Sequence, residues 1–99
     1  LPDCRPLPFG HLGDGNIHYN IGQPAQMSAS AFMALEPKIN DIVYDIVDGL
    51  GGSISAEHGI GILKKEQLAR RGDTAKLHAL RQIKTALDPD NILNPRILL

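Results

Sequence analysis

The chain has 99 residues, 42% hydrophobic and 21% charged, with a formal net charge of −1 at pH 7; that is room for one modest, largely aliphatic core, since it holds two Tyr, two Phe and no Trp. The balanced charge argues against a phosphate-coating surface and so against a nucleic-acid partner, and no apolar run approaches the roughly 20 residues of a bilayer span. A single cysteine, Cys4, excludes an intrachain disulfide framework and fits a reducing compartment, the cytoplasm or, in a eukaryote, the mitochondrial matrix.

Pro2 and Pro6, flanking Cys4 and Arg5, read as an extended lead-in. Residues 7–22 read as a β-hairpin: a short strand over Leu7–Leu12, turn chemistry at Gly13-Asp14-Gly15, and a second strand over Asn16–Ile21. That second strand alternates, with Asn16, His18 and Asn20 on one face and Ile17, Tyr19 and Ile21 on the other. Ser28 or Ser30 can cap a short helix, and Pro37 suits the first turn of the next. Ile39, Ile42, Val43, Ile46, Val47 and Leu50 form an apolar stripe at helical spacing, ended by Gly49, Gly51 and Gly52.

Ser53–Glu57 reads as a third short strand, and residues 62–71 as a basic, exposed helix stopped by Gly72. Asp73 or Thr74 then caps a last helix with the stripe Leu77, Leu80, Ile83 or Lys84, and Leu87; Asp88-Pro89 ends it. The predicted class is α+β: a small, mainly antiparallel sheet with helices packed on one face. A three-stranded sheet is marginal alone. The apolar, proline-broken tail and a start at Leu1 rather than Met read as a piece of something longer.

Three of the four histidines lie in two glycine-rich turns, Gly10–His18 and Ser55–Gly59. A turn at 13–16 would make His11 and His18 a cross-strand pair with Cβ atoms about 4.5–5.5 Å apart, close enough to chelate one divalent cation. Glu57 is the candidate third ligand. Two His and one carboxylate leave positions open, as catalytic sites do. His58 is the candidate general base. The plain alternatives are a wet hairpin edge for His18 and its neighbours, and a carboxylate at a helix N-terminus for Glu57. His78 and the run Lys64, Lys65, Arg70 and Arg71 read as solvated surface, and Cys4 as inert.

The blocks Gly10-His11-Leu12-Gly13-Asp14-Gly15-Asn16-Ile17-His18, Gly51–Gly61, and Leu87-Asp88-Pro89 with Ile92-Leu93-Asn94-Pro95 resemble the C-terminal end of FAD-linked oxidases of the vanillyl-alcohol oxidase type. Within that group they are most similar to D-2-hydroxyglutarate and D-lactate dehydrogenases, with the glycolate oxidase flavoprotein subunit nearby. The resemblance implies that residues 1–99 are the C-terminal part of the substrate (cap) domain of an FAD-dependent D-2-hydroxyacid dehydrogenase. It implies a metal, zinc or manganese, on His11, His18 and Glu57, with His58 as base, Asn20 on the substrate and Asn94 near the flavin. FAD would be bound mainly by an upstream domain, and the fragment alone would be inactive. A 2-hydroxyglutarate, lactate or glycolate substrate, an unspecified electron acceptor and a homodimer are all compatible with it. Tyr19 departs from the aliphatic residue often seen at its position. The competing readings are a metal-dependent hydrolase, in which the same three ligands hold a zinc-bound water, and a non-catalytic interaction module.

Overall fold

The computed structural model describes residues 3–99; the lead-in expected at Pro2 lies outside them. The chain divides into two units, one reaching to Glu57 and the other running from His58 to Leu99.

In the first unit, β1 (Arg5–Phe9) pairs antiparallel with β2 (His18–Gly22), in a register running from Arg5 opposite Gly22 to Phe9 opposite His18. Pro6 and Pro8 remove two N–H donors from β1, so it pairs on one side only, as an edge strand must. The first strand thus lies earlier than Leu7–Leu12, and His11 is not the cross-strand partner of His18. The cause is the connection at 10–17, which is longer than a tight turn. A 3-10 turn over Leu12–Asp14 occupies it, closed by Gly15 in the left-handed region (φ 67°) with its N–H donating to Leu12 O. Gly10 is needed here as well, because an added Cβ would sit 2.2 Å from the Asn16 carbonyl oxygen.

Helix α1 (Ala29–Met33) is capped by Ser28, whose hydroxyl accepts from Ala31 N at 3.3 Å. Helix α2 (Glu36–Gly49) carries Pro37 in its first turn, where a missing N–H costs nothing. It ends in a Schellman arrangement: Gly52 N donates to Val47 O, and Gly51, at φ 70°, donates to Asp48 O. The apolar stripe of α2 and the Ile17, Tyr19 and Ile21 face of the hairpin line a common cavity of about 590 Å³, within the first unit. Much of that surface stays open, with Tyr19 50% and Ile46 58% exposed.

The strand expected over 53–57 is a loop. Ser53 Oγ accepts from Ser55 N at 3.3 Å and donates to Ser55 O at 3.1 Å, so side-chain bonds use the groups that a strand ladder would need. The sheet among the described residues is therefore two-stranded. The α+β class stands.

In the second unit, α3 (Lys65–Arg71) starts three residues later than the basic pattern suggested, after a turn at 61–64, and ends at Gly72. Helix α4 (Thr74–Leu87) is capped by Asp73, which accepts from Lys76 N at 2.8 Å. Leu77 is its buried anchor, against the Gly72 turn. The inward face then continues through Leu80 and Lys84 to Asp88, leaving Ile83 exposed. Asp88 is buried and binds the tail: its Oδ1 accepts from Ile92 N (2.9 Å) and its Oδ2 from Leu93 N (3.0 Å). Lys84 Nζ pairs with the same carboxylate and donates to Leu93 O. No helix among the described residues is long and apolar enough to cross a membrane.

Candidate functional site

His11 precedes the 3-10 turn, His18 opens β2 and Glu57 ends the loop after α2, yet the three meet at one atom. His11 Nε2 lies 2.7 Å and His18 Nε2 3.3 Å from the same oxygen, Glu57 Oε1. His18 is fixed by its strand and by Phe9, its cross-strand partner, whose ring stacks on the imidazole with centroids 4.9 Å apart and planes 14° apart. The side chains of His11, His18 and Glu57 are 63%, 31% and 35% exposed. Ion pairs this exposed add only about 0–1 kcal/mol, so stability gives little reason to gather two imidazoles on one carboxylate.

Sequence reasoning placed Asn16 only on the polar face of a strand; the structure makes it a junction. Its Oδ1 accepts from His11 N at 3.0 Å, and its Nδ2 donates to Glu57 Oε1 at 3.4 Å. The residue type carried the signal, since Asn side chains readily bond nearby main-chain groups at turns.

Asn20 lies two residues beyond His18 on β2, on the same face, exposed and opposite Leu7. His58 and Asn94 belong to the second unit. Asn94 lies in the tail at φ 45°, its carbonyl accepting from Ile97 N. Cys4 is a free thiol that lines the apolar cavity, and His78 is exposed on α4, as expected of a solvated position.

Among the described residues, no group of three or more His, Cys, Asp or Glu side chains is arranged as one that could hold a metal ion. The donors instead close on one another. In a tetrahedral zinc site, ligand atoms at about 2.0–2.2 Å from the ion lie roughly 3.3 Å apart. The His18–Glu57 separation has that value, and the His11–Glu57 separation, at 2.7 Å, falls short of it. Two imidazole nitrogens and a carboxylate oxygen also suit zinc or manganese chemically. The donor types, rather than their present spacing, fit such an ion.

A hairpin and a loop thus bring two histidines and a glutamate together within the first unit of an α+β chain. The chain belongs to the family of FAD linked oxidases, C-terminal domain, whose family model matches residues 3–98. It is 38% identical over 94 residues to a D-2-hydroxyglutarate dehydrogenase of Stutzerimonas stutzeri, covering 95% of this chain and 20% of that protein. It is 47% identical over 87 residues to the mitochondrial D-2-hydroxyglutarate dehydrogenase of Bos taurus, covering 88% and 15%. To a D-2-hydroxyglutarate–pyruvate transhydrogenase of Saccharomyces cerevisiae it is 39% identical over 94 residues, covering 95% and 18%. The chain thus spans about a fifth or less of the length of these relatives. All three names describe redox chemistry on a hydroxy acid, which does not favour the hydrolase reading.

Proposed function

We propose that this chain is the metal- and substrate-binding C-terminal part of an FAD-dependent D-2-hydroxyacid dehydrogenase, with an upstream domain of the same protein holding the flavin. The observation that carries the reading is the meeting of His11 and His18 Nε2 at Glu57 Oε1, within a chain of this family. The names of the relatives make D-2-hydroxyglutarate the first substrate to assay, with D-lactate next. Eukaryotic relatives named as mitochondrial support a mitochondrial location if the source is a eukaryote.

His11, His18 and Glu57 hold a zinc or manganese ion in this reading. When bound, the ion would supply Lewis acidity at the substrate's C2 hydroxyl, and the flavin would supply the acceptor for the C2 hydride. His58 takes the hydroxyl proton, so that loss of a proton and a hydride turns the 2-hydroxy acid into the 2-oxo acid. Asn20, beside His18 on the polar face of β2, hydrogen-bonds the substrate, and Asn94 contacts the flavin. The apolar face of β2 takes no part in the chemistry and belongs to the packing.

The test uses the full-length protein under anaerobic conditions. Its oxidised flavin is expected to bleach with D- but not L-2-hydroxy acids, and to lose that response when metal is stripped and regain it with zinc or manganese. A protein that carries no flavin, or whose flavin bleaches with no hydroxy acid, removes the dehydrogenase reading.

A further inference from the structure

Glu57 arrives at the site on a loop, with no strand ladder to aim its carboxylate, and a terminal carboxylate rotates through a broad well. Asn16 sits where that freedom can be removed. Its main chain and side chain close a reciprocal clasp on His11: Asn16 N donates to His11 O at 3.3 Å, and His11 N donates to Asn16 Oδ1 at 3.0 Å. The atom that faces the His11 N–H must be an oxygen, so the amide nitrogen necessarily faces Glu57 Oε1, at 3.4 Å. One half-buried amide therefore ties the backbone of one proposed ligand to the carboxylate of another, 41 residues away. Gly10 lets the chain pass against Asn16, because a Cβ there would meet the Asn16 carbonyl oxygen at 2.2 Å and Ile17 Cα at 2.9 Å.

We infer that Asn16 is a positioning residue for the metal site: it sets the carboxylate of Glu57 and the backbone of His11 in register. This rests on the metal reading proposed above. The two histidines cannot do this work themselves, since a nitrogen that ligates an ion no longer donates to Glu57. An amide N–H₂ is no competing ligand and can keep its bond to the carboxylate. Partners that orient metal ligands in this way typically affect affinity by about 10–100-fold.

The experiment measures the Zn²⁺ dissociation constant of the full-length protein by competition with a chromophoric chelator, and hydrogen exchange at the His11 amide in the metal-free protein. Asn16→Ala is expected to weaken Zn²⁺ binding by about 10–100-fold and to speed exchange at His11 N. Asn16→Asp keeps an oxygen for His11 N, and with it the turn, but turns an oxygen rather than a donor toward Glu57; it should retain the His11 protection and still lose Zn²⁺ affinity. In a Glu57→Ala background, Asn16→Ala should add little further loss, because the two act through one contact. Zn²⁺ affinity within threefold of the parent in both Asn16 variants, or losses that multiply in the double variant, overturns the proposal. Equal, weak Zn²⁺ binding by the parent and by Glu57→Ala would instead remove the metal site, and the positioning role with it.

Discussion

His18 is held from two sides, by the β2 backbone and by the Phe9 ring across the ladder, whereas Glu57 lies on a loop, where the Asn16 amide reaches its carboxylate. That contrast explains what could be read early. His11, His18 and Glu57 stand out as residue types that ligate metals, and the structure brings them together at Glu57 Oε1. The route to that meeting is not legible in the sequence: a tight hairpin would set His11 opposite His18, while the observed register sets Phe9 there and leaves His11 to reach across from a turn. At this scale His58 offers the cleanest separation of roles. His58→Ala in the full-length protein should lower the rate of flavin reduction by at least about 100-fold while leaving bound zinc or manganese unchanged. Stopped-flow reduction and metal analysis on the same preparation check it; loss of metal together with rate would place His58 among the ligands instead.

Among the elements, caps and turns were the most legible part, because their chemistry is local. Ser28, Asp73 and the glycines after α2 act within a few residues of themselves, and each sits where its residue type indicates. The supposed strand at 53–57 failed for a local reason too, the Ser53–Ser55 bonds, which alternating hydrophobicity does not register. Asp88 was legible only as a helix stop. In the structure it is the anchor of the tail, and the Lys84 ammonium bonded to it, together with the Ile92 and Leu93 N–H groups, holds its carboxyl below the ordinary value of 3.8 against the opposing effect of burial. A carboxyl with a lower value in the folded than in the unfolded chain makes the folded state bind fewer protons in that window. Its stabilisation is complete above the ordinary value and is lost as pH falls through the depressed one. Asp88→Asn should therefore lower the melting temperature at pH 7 and flatten the decline in stability below about pH 4. Thermal melts of parent and variant between pH 2 and pH 7, on scales of about one pH unit, check the slope; parallel acid limbs would show that Asp88 does not set it.

Across the whole molecule the described chain buries little. Leu77 is 6% exposed, while Leu50, Ile92 and Leu87 are 82%, 75% and 76% exposed, and the cavity between α2 and the hairpin is lined by apolar side chains. Apolar surface of this kind in a chain spanning about a fifth of its relatives supports covering by other parts of the same protein. The 99-residue chain alone is accordingly expected to enhance the fluorescence of an apolar dye such as anilinonaphthalene sulfonate strongly, and the full-length protein, at equal molarity, much less. Equal enhancement would mean that these faces remain open in the complete protein.

By itself the sequence determined the α+β class, the position of every helix to within a few residues, the caps, and the three side chains suited to a metal. All of these depend on residue type and short-range spacing, and so on forces that act within a turn or two of the chain. Only the tertiary structure decided that Phe9 rather than His11 faces His18, that Glu57 comes in on a loop, that Asn16 joins His11 to Glu57, and that Asp88 gathers the tail. Those outcomes depend on which groups satisfy each other's hydrogen bonds across distances of up to 41 residues, and no local pattern records that choice.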